Sequence, residues 1–350
     1  MLIFADLCEN SGDAFLYNTG PRNMIVVTGG AGFIGSNLTR ALGERVAASV
    51  VVVDDLTAGR KFRNLVGSQI ADYLDKDQFL ALAAQRDTLL KQIECVFHLG
   101  ACSNSAEWNG RHMMLNNYEY SKQLFHYCIE RKIPFVYASS AAVFGASRAF
   151  REVPEFEHPL SVYAYSKMLF DHYVRRYLPR AVSPIIGLRY FNVYGPHEAH
   201  KGDMASIVFQ LYTQVRDSGV ARLFKGCDGY RNGEQRRDFV HVDDVVSVNL
   251  WFLDHLGPSG IFNVGTGCSH TFRDVAAAII RLLGRGQIKY VPFPAALRGV
   301  YQSFTEADLS ALRGAGYNRQ FKELKEGVAA YVAWLDSNPE QGVSGYTYDH

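Results

Sequence analysis

Tyr163 and Lys167 stand four residues apart in a stretch with helical periodicity, so both side chains fall on one helix face. A free tyrosine hydroxyl has a pKa of about 10 and is a poor base near neutrality. A lysine ammonium one turn away favours the phenolate and is predicted to lower that pKa. Such a pair can take the proton of an alcohol while a hydride leaves the same carbon. Ser139 and Ser140 follow the apolar run at residues 134–138 and complete a Ser/Tyr/Lys set.

A hydride needs an acceptor, and the start of the chain offers a place for one. Gly29, Gly32 and Gly35 have the G-x-x-G-x-x-G spacing, after a strand-like run and before a helix-like one. Glycines at that junction allow a tight turn, close approach of pyrophosphate and close helix–sheet packing. The helix N-terminus then faces the phosphates. Asp54 lies about 20 residues further on, where a carboxylate can take ribose hydroxyls. Taken alone, Asp54 favours NAD; Arg60, Lys61 and Arg63 follow at once and could neutralise the extra phosphate of NADP. The residues by themselves fit either cofactor. Leu99-Gly100-Ala101-Cys102-Ser103 ends another apolar run, and its small residues let a cofactor lie across the sheet edge. Asn116 can reach the same groove, or serve simply as a polar helix-surface residue.

Apolar runs at residues 24–28, 49–53, 95–99, 134–138 and 185–192 read as strands. Helical stretches at 32–45, 78–90, 110–131 and 161–177 separate them. That alternation predicts βαβ units and a Rossmann-like, doubly wound parallel sheet. Beyond Asn192 the pattern turns mixed, with helices at 204–217 and 243–255, the latter capped by Asp243, and a short strand at 239–240. Glycine turns follow at 257–260 and 265–267. Residues 222–237 are polar and glycine-containing and read as a mobile loop near the ligand.

The chain has 350 residues, 48% hydrophobic and 20% charged, with a formal net charge of +1. It can bury a full core, and its balance points neither to nucleic acid nor to a membrane surface. Six cysteines are scattered without a C-x-x-C pair, so zinc is not expected and free thiols in a reducing cytoplasm are. Residues 1–23 lack periodicity and carry Asp6 and Glu9 where a secretory signal would be basic and apolar; they read as a loose extension or an upstream start.

The Ser/Tyr/Lys set, with Ser140 aligned by the following Val143-Phe144-Gly145, resembles the extended short-chain dehydrogenase/reductase superfamily. More specific segments are similar to the ADP-glyceromanno-heptose 6-epimerase family: Gly100-Ala101-Cys102-Ser103, Asn116-Asn117-Tyr118, Arg189 to Pro196, His200-Lys201-Gly202, Arg237-Asp238-Phe239-Val240 and Gly299-Val300-Tyr301-Gln302. The resemblance runs from Met24 to about Trp334. It implies inversion at carbon 6 of an ADP-linked heptose for lipopolysaccharide core synthesis. The means is transient oxidation with tightly held NADP (NAD being the alternative) and hydride return to the opposite face.

By that resemblance Ser140 holds the reacting alcohol, Tyr163 is acid/base for one face and Lys201 for the other, and Lys167 also holds the nicotinamide ribose. Burial is expected to lower the Lys201 pKa. The implied cofactor set is Gly29, Gly32, Phe33, Ile34, Gly35, Asp54, Asp55, Lys61, Lys76, Leu99, Gly100, Ala101, Cys102, Ser103, Asn116, Lys167, Val193 and Lys201. The implied substrate set is Asn192, Asp203, Gln210, Phe224, Lys225, Gly226, Cys227, Arg237 and Tyr301, with Arg237 on the diphosphate. Asp203 and Gln210 stand where the family has other polar residues. The resemblance further implies a nucleotide domain at 24–190, with returning segments near 238–265 and 301–312. A smaller mixed α/β substrate domain would hold 191–237, 266–300 and 313–350, in a cytoplasmic homopentamer. Competing readings are a sugar-nucleotide 4-epimerase, a 4,6-dehydratase and a non-catalytic cofactor sensor. The dehydratases carry an acidic pair where this chain has Ala141-Ala142, and the sensors lose the Tyr/Lys pair.

Overall fold

The computed structural model describes residues 24–46, 49–87 and 90–341; the extension expected at 1–23 lies outside them. The first half contains β1 (Met24–Thr28), α1 (Phe33–Val46), β2 (Val50–Asp54), α2 (Phe62–Leu65), β3 (Asp72–Asp75), α3 (Lys76–Gln85), β4 (Ile93–His98), α4 (Gly110–Met113), α5 (Tyr120–Arg131), β5 (Phe135–Ser140), α6 (Val162–Arg175) and β6 (Ile185–Tyr190). The second contains β7 (Asn192–Tyr194), α7 (Ile207–Ser218), β8 (Val220–Phe224), β9 (Arg236–His241), α8 (Val242–Asp254), β10 (Gly260–Val264), β11 (Ser269–Thr271), α9 (Phe272–Leu283), β12 (Gln287–Val291), α10 (Ser310–Gly314) and α11 (Leu324–Ser337).

Seven strands form one parallel sheet in the order β10-β6-β5-β4-β1-β2-β3. Its inner strands are apolar runs such as Val-Val-Val-Val in β2, buried along their whole length, because helices cover both faces. Burying one such side chain contributes about 1.5–3 kcal/mol. One core cluster packs Leu38, Leu42, Val245 and Phe252 against one face; another packs Phe79, Leu124, Phe125 and Phe170 against the other. The doubly wound sheet read from the alternation is therefore present, and strand order reverses between β1 and β4. Crevices at such reversals are where ligands bind in open parallel sheets. A third cluster joins α7, α9 and α11 around Val208, Ile279 and Val328, beside the small sheets β11-β9-β7 and β12-β8.

Several boundaries differ from the sequence reading. The helix expected at 110–131 is interrupted by a π-helical stretch, Met114–Glu119. That wider turn presents Asn116 to a cleft and Asn117 to the loop after β4. The expected helix at 204–217 starts at Ile207, because the Ser206 side chain caps it by accepting from the Phe209 N–H. In α8 the cap is His241 rather than Asp243; its Nδ1 accepts the Asp243 N–H. The ends of the loop expected at 222–237 are strands β8 and β9. The glycine turns at 257–260 and 265–267 bracket β10, an edge strand of the large sheet. Cys95, Cys102, Cys128, Cys227 and Cys268 are free thiols. Among the described residues no helix is long and apolar enough to cross a membrane.

Candidate active site

A cleft of about 820 Å³ opens over the C-terminal ends of β1, β2, β4 and β5. Its floor is the glycine loop. Gly29 has φ +68°, and a Cβ there would lie 2.6 Å from the Gly100 nitrogen; a Cβ on Gly35 would lie 2.0 Å from the Gly29 oxygen. Only glycine allows the loop to lie this close to the end of β4 and to the start of α1. That shape fits the pyrophosphate of a dinucleotide at a helix N-terminus.

Both oxygens of Asp54 already have partners. Oδ2 accepts the Ala31 N–H at 2.7 Å, and Oδ1 accepts the Asp55 N–H at 2.7 Å and Lys61 Nζ at 2.5 Å. The carboxylate therefore clamps the glycine loop and is neutralised by Lys61. Beside it, Asp55 pairs with Lys76 at 3.0 Å. A hydrogen bond from Thr57 holds the Asp55 carboxyl well below the usual range, with Lys76 adding to the effect. Asn64 links the loop to His200, donating to Ala31 O at 2.9 Å and contacting His200 Nδ1 at 3.0 Å.

The end of β4 is fixed by a buried polar chain. Thr28 Oγ1 lies 2.7 Å from His98 Nδ1, and His98 Nε2 lies 2.8 Å from Ser121 Oγ. Ser121 gives its proton to Asn117 O, so His98 donates from Nε2 and accepts from Thr28 at Nδ1. Burial, with the Lys167 charge adding, pushes the His98 pKa down to about 3. Asn117 holds Cys102 by both backbone groups, at 2.7 and 3.0 Å, and reaches Ser166, whose hydroxyl binds Tyr163 O.

Tyr163 and Lys167 project from α6 into the cleft next to Ser140. The four-residue spacing predicts a lowered tyrosine pKa, but burial wins here and raises it, with the Ser140 hydroxyl acting in the opposite direction. Lys167 donates instead to Ala138 O at 2.9 Å, and burial pushes its own pKa down to about 8 against the pull of Asp171. Behind them α6 is bolted to the sheet. Asp171 accepts from Tyr137 at 2.9 Å, Ser139 at 2.8 Å and Arg189 Nε at 2.9 Å. Arg189 also binds Glu157, which Arg175 and His172 contact at 2.5 and 2.6 Å.

Lys201 lines the same cleft from a short 3-10 stretch, Ala199–Met204, outside the large sheet. Its Nζ lies 5.3 Å from the Phe33 ring centroid. Burial lowers its pKa as expected, with Glu198 opposing.

Every residue of the implied cofactor and catalytic sets lines this cleft, as does Asn192; the remaining substrate residues do not. Arg237, Tyr301, Phe224 and Cys227 gather beside it. The Arg237 guanidinium lies 4.8 Å from the Tyr301 ring and 5.8 Å from Phe272, a cleft-lining residue that joins the two places. Among the described residues Arg237 has no carboxylate partner, and burial pushes its pKa down. Lys225 and Gly226 lie in the adjoining turn, where Lys225 O accepts from Gln235. Asp203 is exposed, and Gln210 gives its amide to the carbonyls of Asp203 and Ala205, both at 2.9 Å. The structure therefore brings neither residue into the cleft. Sequence reasoning missed Glu198, Phe272 at the start of α9, and Phe293, whose ring meets those of Phe224 and Tyr301 edge to face; a lone aromatic or acid outside a motif has no spacing signal.

Residues 25–265 match the model of the NAD dependent epimerase/dehydratase family. The chain belongs to that family. An ADP-L-glycero-D-manno-heptose-6-epimerase from Alkalilimnicola ehrlichii is 56% identical over 309 residues, 88% of this chain and 96% of that one. The crystal structure of the ADP-L-glycero-D-manno-heptose-6-epimerase of Helicobacter pylori superposes with a TM-score of 0.79 at 29% identity, over 91% of this chain and 97% of that one. The UDP-glucose 4-epimerase of Thermus thermophilus, in complex with NAD, gives 0.72 at 26% identity over 89% and 99%. The resemblance read from the Ser/Tyr/Lys set and the Gly-Ala-Cys-Ser and His-Lys-Gly segments is borne out at the level of the family. In this epimerase/dehydratase the glycine loop and strand ends suit a nicotinamide dinucleotide.

Proposed function

We infer that this protein interconverts ADP-D-glycero-D-manno-heptose and ADP-L-glycero-D-manno-heptose by inversion at carbon 6. The observation that carries the reading is that two proton-transfer groups, Tyr163 and Lys201, line one cleft from separate elements, α6 and the 3-10 stretch Ala199–Met204. Inversion needs a proton handled on each face of the carbon, and one side chain cannot easily serve both. A bound nicotinamide dinucleotide supplies reversible hydride exchange. Ser140 orients the hydroxyl, Tyr163 takes or gives its proton on one face, and Lys201 does so on the other. Lys167, with a pKa near 8, carries positive charge at neutral pH and holds the ribose. Arg237, buried with no counter-ion among the described residues, takes the substrate diphosphate. Phe224 and Tyr301 flank the base.

NADP is the cofactor of this reading, because Lys61 already cancels the Asp54 charge that would repel a 2′-phosphate. The division into a nucleotide domain at 24–190 and a substrate domain, the cytoplasmic location, the homopentamer and the role in lipopolysaccharide core synthesis rest on the family resemblance. Mass analysis of the nucleotide that co-purifies, followed by addition of each ADP-heptose epimer and of UDP-galactose, tests the whole. Conversion of the heptoses without net release of reduced cofactor is expected. Turnover of UDP-galactose in their place would make the protein a 4-epimerase.

A further inference from the structure

Glu198 is fully buried three residues before Lys201. Its Oε1 accepts the Gly195 N–H at 3.3 Å and the Ser206 hydroxyl at 2.7 Å, and its Oε2 accepts the Ser206 N–H at 2.5 Å. Three donors and no acceptor suit an ionised carboxylate. The contacts join the two ends of the stretch 195–206, whose middle carries Lys201. Each end is itself anchored. Gly195 packs so close to α8 that a Cβ would lie 2.6 Å from Val242 Cγ1, and Ser206 caps α7. Between those anchors the stretch holds itself by Lys201 N–H to Glu198 O and Ala205 N–H to Gly202 O, both at 3.0 Å.

Resting on the reading of Lys201 as the second acid/base, we propose that Glu198 is its positioning residue, stapling the loop shut and laying a fixed negative charge behind the ammonium. An amide in its place would set an NH2 donor against one of the Ser206 donors and loosen the staple. A buried carboxylate costs more to desolvate than an amide and is expected where a buried cation needs a counter-charge. The charges facing Glu198 fit that account. Burial lowers the Lys201 pKa and Glu198 opposes it; burial raises the Glu198 pKa and Lys201 opposes it. A further titratable neighbour is Tyr331 on α11, whose phenol burial raises and the Glu198 charge raises further.

The test compares Glu198→Gln with the parent protein in two measurements. Trace labelling of lysines with acetic anhydride as pH is raised, followed by peptide mass spectrometry, gives the titration midpoint of Lys201 directly. In the variant that midpoint is expected to fall by about one unit, a tenfold change in proton affinity, with Lys167 unmoved; an unmoved Lys201 midpoint overturns the proposal. The second measurement is single-turnover oxidation of each C6 epimer to the ketone. The C6 hydrogen leaves with its bonding electrons to the nicotinamide, and the hydroxyl proton goes to one side chain. Lys201→Met is expected to abolish oxidation of one epimer and spare the other, and Glu198→Gln to slow that same one about tenfold. Equal loss with both epimers in Lys201→Met would sink the reading of Lys201. Asymmetry in Lys201→Met with none in Glu198→Gln would sink the Glu198 role alone. If Glu198→Gln does not fold, Ser206→Ala removes one strut and keeps the charge. A slower reaction from the Lys201-dependent epimer then supports the staple, and unchanged rates overturn it.

Discussion

The two walls of the cleft are built in opposite ways. Tyr163 rides a fourteen-residue helix bolted to the parallel sheet through Asp171, Arg189 and Glu157. Lys201 rides a 3-10 stretch with a non-helical Gly202 in its middle, tied shut by one carboxylate. One wall takes its geometry from secondary structure and a distributed ion cluster; the other takes it from the Glu198 staple and a few hydrogen bonds such as those of Gln210 to Asp203 O and Ala205 O. Chemistry placed on the first wall should resist most local changes, and chemistry on the second should be easy to detune.

The largest expected effect removes both walls at once. Tyr163→Phe combined with Lys201→Met leaves no proton-transfer group on either face, and ADP-heptose epimerisation is expected to fall about a thousandfold or more. A double variant that retained full activity in a coupled chromatographic assay would refute the two-wall site. Next comes the floor that both walls share. A Cβ on Gly35 would meet Gly29 O at 2.0 Å, so Gly35→Ala must push α1 away from the loop. The nucleotide that co-purifies is expected to be lost, with affinity down roughly a hundredfold, the order of effect that an ångström of misplacement has. Calorimetric titration with NADP measures it.

The same contrast decides which parts of the molecule are legible in its sequence. The sheet is legible because its strands are apolar runs buried on both faces and its helices fall between them. Tyr163 and Lys167 are legible because a helix turns four residues into one face, and the glycines because their spacing has one geometric use. Lys201 has no such signature: its neighbours make an irregular loop, and only the likeness of His200-Lys201-Gly202 to a family singles it out. Glu198 lacks even that. Arg237 sits in a polar, glycine-containing stretch that suggests a loop. It lies instead on β9, the middle strand of a small sheet, and that strand holds its guanidinium buried, with no carboxylate partner among the described residues. The spacing of Tyr163 and Lys167 predicts a lowered phenol pKa and the fold raises it, because spacing reports neighbours whereas burial reports the whole fold.

A pH experiment sharpens the comparison at the end of β4, where His98 joins Thr28 to Ser121. His98 is neutral in the folded protein with a pKa near 3, against about 6.5 when unfolded. Its folded value is depressed, so the unfolded chain takes up a proton that the native one refuses. Stability is therefore full above about pH 6.5 and falls as acid is added, by about 2 kcal/mol from this group at pH 5. Protonation would also turn Nδ1 into a donor facing Thr28, whose hydroxyl already accepts the Gly100 N–H at 3.2 Å. In His98→Gln, urea unfolding at pH 7 and pH 5 should differ by correspondingly less than in the parent. An identical acid loss would mean that other groups govern it.

The smallest expected effect falls on the stapled wall. Gly202 has φ +53°, yet a Cβ there would meet nothing within 4 Å. Gly202→Ala therefore costs backbone strain alone, about 1–3 kcal/mol, without the steric conflict that Gly35→Ala brings. The melting temperature is expected to drop by a few degrees and NADP affinity to stay unchanged. Turnover should fall severalfold, because the strain can be relieved only by shifting the stretch that Glu198 holds, and Lys201 is on it. If Gly202→Ala lost cofactor as Gly35→Ala does, the stapled wall would not be built separately from the floor, and the contrast drawn from its contacts would fail.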